Sequence, residues 1–146
     1  MSAAQRPSIA PTMGQIIDLT NQIEREEQWY RSNFHQCPIV QWIKDYSDGS
    51  GRMIMISDAH VDAFGIPADT YEGRTDYDVF SKEDAEQLRR EDLQVISEKR
   101  PITFPPMKSF HPREGRWAAS QCRKWPIYSN TGKIIGVGGM AWPVNE

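Results

Sequence analysis

A chain of 146 residues with 38% hydrophobic and 25% charged residues supports one buried core and leaves too little material for two. Its 17 Lys and Arg against 20 Asp and Glu give a net charge of -3, which excludes the basic field that a direct nucleic-acid partner requires. No apolar run approaches the roughly 18 residues of a membrane span, and the start, MSAAQRPSIAPTMG, has no signal-peptide core, so the chain reads as soluble and cytoplasmic, without a membrane partner.

Residues 1–13 combine Pro7 and Pro11 with small residues and read as a flexible tail, because such a composition buries too little apolar surface to offset its ordering entropy. Residues 14–35 predict an amphipathic helix on the spacing of Ile16, Leu19, Ile23 and Tyr30. Glu26 interrupts that stripe, so a long independent coiled coil is not expected. A hairpin follows, with IVQWIKDY and RMIMIS as strands and DGSG as the turn. Period-two alternation sets Val40, Trp42 and Lys44 on one face of the first strand. DAHVDAFGI predicts a short helix capped by Asp58 and stopped by Gly65. YEGRTDYDVF predicts brief helical pieces around a turn at Gly73. A long helix over 82–98 then begins behind Ser81, with Ala85, Leu88, Asp92, Val95 and Ile96 on one face. Asp92 in an apolar stripe is expected to be a structural acid met by hydrogen-bond donors. The last third is three extended runs, PITFPPMKSF, GRWAASQCRKWPIY and GKIIGVGGMAWPV, separated by HPREG and SNTG. Cys37 and Cys122 match no paired motif and read as two buried thiols. This order of elements predicts an α+β fold, with helices gathered on one face of a five-stranded antiparallel sheet.

From Cys37 to Val144 the order and the motifs ISDAHVDAFGI, YEGRTDYDVFSKEDAEQLRREDLQVI and GRWAASQCRKWPIYSNTGKIIGVGGM resemble the PAS domains of bacterial signalling proteins. Residues 36–146 are assigned to that domain. Two departures stand out: Ser57 where an Asn is common, and AWPVNE in place of the usual Asp-Ile-Thr ending. The resemblance implies a sensory or dimerisation module whose sheet curls around a small cavity lidded by the long helix.

The residues narrow the chemistry. The flavin-photoreceptor branch requires an Asn-Cys-Arg motif where this chain reads GRTDYDVF, and the haem branch commonly uses a His on the long helix, which has none. His35, His60 and His111 lack metal-ligand spacing, and no metal or cofactor is assigned. Ser120, Cys122 and His60 are unlinked as a catalytic set, so no enzyme is expected. GVGG at 136–139 lies in a strand with no helix after it to face an anion, so it is no phosphate loop.

The resemblance aligns Ser120, Cys122 and Lys124, with Ile134, Gly136, Gly138 and Met140, toward the cavity. Two readings follow. In the first, the chain senses a small, anionic ligand with Lys124 as charge partner and His60, Tyr77 and Ser120 as donors, in a wall made small by Cys122, Gly136 and Gly138. In the second, Met53, Met55, Phe64, Phe80 and Phe104 fill the core and the chain only pairs subunits. Either way a homodimer is expected through Ile16, Leu19, Ile23, Trp117 and Trp125, with the output supplied by an effector domain or partner protein.

Overall fold

The computed structural model describes residues 10–108, 117 and 119–144. The expected tail up to residue 9 and the turn HPREG with His111 lie outside the described residues. The chain divides into two units between Ser32 and Asn33.

Helix α1, Met13–Gln36, opens with a reciprocal cap that the sequence reading missed. Gln15 N–H donates to Thr12 Oγ1 at 3.1 Å, and Thr12 N–H donates to Gln15 Oε1 at 2.8 Å. None of its residues is buried, and Ile16, Leu19 and Ile23 are 43%, 55% and 62% exposed.

In the second unit, β1 (Val40–Asp45) and β2 (Arg52–Ile56) form the expected hairpin, and α2 (Asp58–Phe64), α3 (Ala68–Tyr71), α4 (Asp76–Val79) and α5 (Lys82–Glu98) follow. The N-cap of α2 is Ser57 rather than Asp58. Its buried hydroxyl donates to Ile39 O at 2.8 Å and accepts from Gln41 N–H at 3.1 Å and His60 N–H at 3.3 Å, so it ties the helix start to β1. Gly65 ends the helix in the left-handed conformation with its N–H on Val61 O. Ser81 caps α5 as expected, accepting from Asp84 N–H at 3.2 Å. At the other end of α5, Lys99 takes φ 55°, ψ 39°, a conformation that costs an L-residue roughly 1–2 kcal/mol. Lys99→Gly is therefore expected to stabilise the fold by about 0.5–1 kcal/mol after glycine's extra chain entropy is subtracted. Urea unfolding checks this, and an unchanged or lower midpoint would contradict it.

The strands β3 (Ile102–Thr103), β4 (Met107–Lys108), β5 (Ala119–Tyr128) and β6 (Ile134–Pro143) complete one antiparallel sheet, ordered β2-β1-β6-β5-β3 with β4 also on β5. It has six strands rather than five because the run PITFPPMKSF breaks in two. Phe104 N–H still reaches Cys122 O at 3.0 Å, but Pro105 and Pro106 have no N–H to continue the ladder, which resumes at Met107.

Register decides which side chains meet. Across the sheet, Ile56, Trp42, Gly139, Lys124 and Ile102 stand in one row on the helix-covered face. One residue along, Met55, Ile43, Gly138 and Trp125 make an apolar row on the opposite face. Two adjacent glycines let an indole lie flat on each side of β6. A Cβ at Gly139 would fall 2.3 Å from the Trp42 ring, and one at Gly138 would fall 2.4 Å from Trp125 Nε1.

Candidate functional site

The helix-covered face of the sheet carries a buried ionic cluster. Inward parity aims Lys44 of β1 and Lys124 of β5 at α5, and Asp92 of α5, fully buried, stands between them. Lys44 Nζ donates to Asp92 Oδ2 at 2.9 Å and to Asp76 Oδ2 at 2.6 Å. Lys124 Nζ donates to Asp92 Oδ1 at 2.8 Å and Leu88 O at 3.4 Å, and lies 3.1 Å from Glu91 Oε1. Tyr46 donates to Asp92 Oδ2 at 2.6 Å, and Tyr71 donates to Asp76 Oδ1.

For Asp92, Lys44 and Lys124 burial works against the charge, and mutual attraction outweighs it. Asp92 is opposed by burial, yet Lys124 and Lys44 bring its pKa down to about 2. Lys44 is likewise opposed by burial but held above the ordinary lysine range by Asp76 and Asp92. Burial and the adjacent carboxylates push both phenols up, so Tyr46 and Tyr71 stay neutral donors.

Beside the cluster, between the helices and the sheet, lies a cavity of about 60 Å³. That is well below the ~300–1,000 Å³ that holds drug-sized ligands. Its lining includes the aromatic rings of Trp42, His60, Phe64, Tyr71 and Phe80. Among these, His60 lies 4.8 Å from Phe64, 5.8 Å from Trp42 and 6.0 Å from Tyr71 by ring centroids. Lys44, Glu91, Ser120, Cys122 and Lys124 line it as well, among apolar Leu88, Met107 and Ala141. The Cys122 thiol is pushed up to about 11, by burial first and with Lys124 pulling the other way, so it stays protonated.

The expected residues divide accordingly. His60, Ser120, Cys122 and Lys124 come together at the cavity. Tyr77 does not: it is 44% exposed, because the single turn of α4 points Asp76 inward and sends its neighbour outward. Gly136 and Gly138, with Met140, belong to the opposite face, while Ile134 pairs with Tyr128 beyond a register shift and is not part of the cavity lining. Cys122 pairs with Ala141 and Lys124 with Gly139, so the cavity side of β6 is Val137, Gly139 and Ala141, one residue out of step with the expectation. Trp125 lies on the outer face as expected, but Trp117 does not. Its ring meets Phe64 edge-on at 5.5 Å and its backbone N–H donates to Ala63 O at 3.3 Å. Residue 117 precedes the ladder, which starts at Ala119, so strand alternation does not govern it.

Both cysteines are free, as expected, but half-buried rather than buried. The sequence reading missed Lys44, Tyr71, Asp76 and Glu91. A lysine sharing a strand face with Val40 and Trp42 was the available signal for the first of these. Among the described residues, no group of three His, Cys, Asp or Glu side chains could hold a metal ion, and no helix is long and apolar enough to cross a membrane.

The sequence profile of the PAS fold matches residues 40–146. The chain belongs to the PAS fold family. Among solved structures, the PAS domain of Bordetella pertussis BvgS resembles it with a TM-score of 0.64 at 21% identity, over 84% of this chain and 88% of that one. A structure of VqmA bound to DPO matches at 25% identity and TM-score 0.62, over 82% of this PAS chain and 57% of VqmA. The Vibrio cholerae VqmA dimer, described as a LuxR-type receptor, matches at 25% identity and TM-score 0.63, over 82% and 52%. The chain thus spans little more than half the length of the VqmA chains it matches. No curated protein matches it.

Proposed function

We propose that this PAS domain is a cytoplasmic signal-sensing module of a regulator, taking a small molecule into the cavity and performing no catalytic step. The observation that carries this reading is the cavity's lining: aromatic rings together with the polar groups of Lys44, Glu91, Ser120 and Lys124, with Leu88 and Glu91 supplied by α5. VqmA, described as bound to DPO, supports it as a structural relative. The same helix supplies Leu88 and Glu91 to the cavity and Asp92 to the ionic cluster. A ligand that favours one setting of α5 therefore biases the strands bonded to Asp92. A second copy of the chain pairs through the exposed Ile16, Leu19 and Ile23 and the outer apolar row with Trp125, and the output comes from an effector domain or partner protein.

Native mass spectrometry tests both parts. The purified chain, supplied with DPO as a first probe, is expected as a dimer carrying an added small mass. Ala141→Phe, which fills the cavity from β6, should remove the added mass and keep the dimer. Leu19→Glu with Ile23→Glu should give monomers. A chain that never carries added mass, with or without the cavity-filling change, would leave pairing as the function and end the sensor reading.

A further inference from the structure

One acceptor in the cavity is left unused by the protein. Glu91 is 4% exposed and lines the cavity from α5. Its contacts among the described residues, Lys124 Nζ at 3.1 Å and Cys122 Sγ at 3.9 Å, both fall on Oε1. Oε2 has no donor among the described residues and is not fully enclosed by protein, so it stays open as an acceptor.

The nearby cations do not offset this. Lys44 is held by Asp76 and Asp92, and Lys124 by Asp92, Leu88 O and Glu91. Three carboxylates therefore face two ammonium groups, one negative charge in excess. An anion entering here finds its expected partner, Lys124, already neutralised. A ligand carrying N–H groups instead finds an open acceptor in a cavity also lined by aromatic rings, whose faces attract positive charge.

We infer that Glu91 sets the ligand class of this cavity: small, flat, neutral or cationic N–H donors such as amidines and amino-heterocycles are admitted, and carboxylates and phosphates are rejected. This rests on the sensor reading above and reverses the anionic ligand expected from Lys124 alone.

Acetamidinium, acetamide and acetate share one planar shape of four heavy atoms and differ only in charge and donors, so they hold size constant. Each is titrated at equal ionic strength into the full chain while the amide resonances of Ser120, Cys122 and Ala141 are followed by NMR. Acetamidinium is expected to bind about tenfold or more tighter than acetate, about 1.4 kcal/mol per tenfold, with acetamide between. Glu91→Gln, the same size without the charge, should erase that preference. Acetate binding as tightly as acetamidinium overturns the inference while leaving the sensor reading intact. A preference that survives in Glu91→Gln overturns the role of Glu91. If none of the three shifts the cavity resonances, the sensor reading falls and this inference with it. Should Glu91→Gln fail to fold, the ranking in the unaltered chain still decides.

Discussion

Asp92→Ala is expected to lower the unfolding free energy by about 3–5 kcal/mol, the cost of removing one member of a buried ion pair. Asp92 accepts from Lys44, Lys124 and Tyr46 at 2.6–2.9 Å, so its loss takes an acceptor from three donors in the interior. Lys44 keeps Asp76 and Lys124 keeps Glu91, yet each then holds its charge with one carboxylate fewer, away from water. Asp92→Asn, which keeps the shape and one acceptor, should cost less. Urea unfolding measures both, and a loss below about 1 kcal/mol for the alanine variant, the size of an exposed pair, would show that the cluster does not hold the fold. The acid limb follows with a definite sign. The folded pKa of Asp92, about 2, lies below its ordinary 3.8. Its contribution is therefore present above about pH 4 and is lost as pH falls toward 2. Asp92→Asn should flatten that part of the stability curve.

Gly139→Ala is expected to cost about 1–3 kcal/mol, the usual range for overpacking, and to block ligand entry as well. The added methyl would fall 2.3 Å from Cε2 and Cζ2 of Trp42, a buried rigid ring with no flexible end to swing aside. The indole has to move, and it lines the cavity. Gly138→Ala makes a similar clash with Trp125, but that ring is half-buried on the outer face and has room to tilt away. The melting temperature should drop more for Gly139→Ala than for Gly138→Ala, by about 2–4 °C per kcal/mol for a chain of this size. Only the former should abolish probe binding. Equal effects at the two positions would mean that the faces of β6 do not differ as the register requires.

The elements whose signals are local were legible. Ser81 and Gly65 mark helix ends through their own side-chain and backbone chemistry, and Gly73 separates two short helices where the text breaks. The inward set Ser120, Cys122 and Lys124 followed from alternation within one strand together with the family resemblance. Asp92 was legible as a satisfied acid, because a charge in a helical apolar stripe must find donors. Its partners were not. Lys44, Tyr46 and Lys124 lie 48, 46 and 32 residues from it along the chain, and nothing near Asp92 names them.

From its residues alone this protein determined an α+β order, the family to which that order belongs, and which side chains of each strand share a face. Tertiary structure decided the rest: how β6 slides against β5, which placed Gly139 and not Gly138 beside the cavity; which lysines neutralise Asp92; and that Glu91 keeps an oxygen open. Alternation and helical period repeat within a few residues and are written in each segment. Register and charge pairing arise only when distant segments meet, and a shift of one residue there exchanges the two faces of a strand.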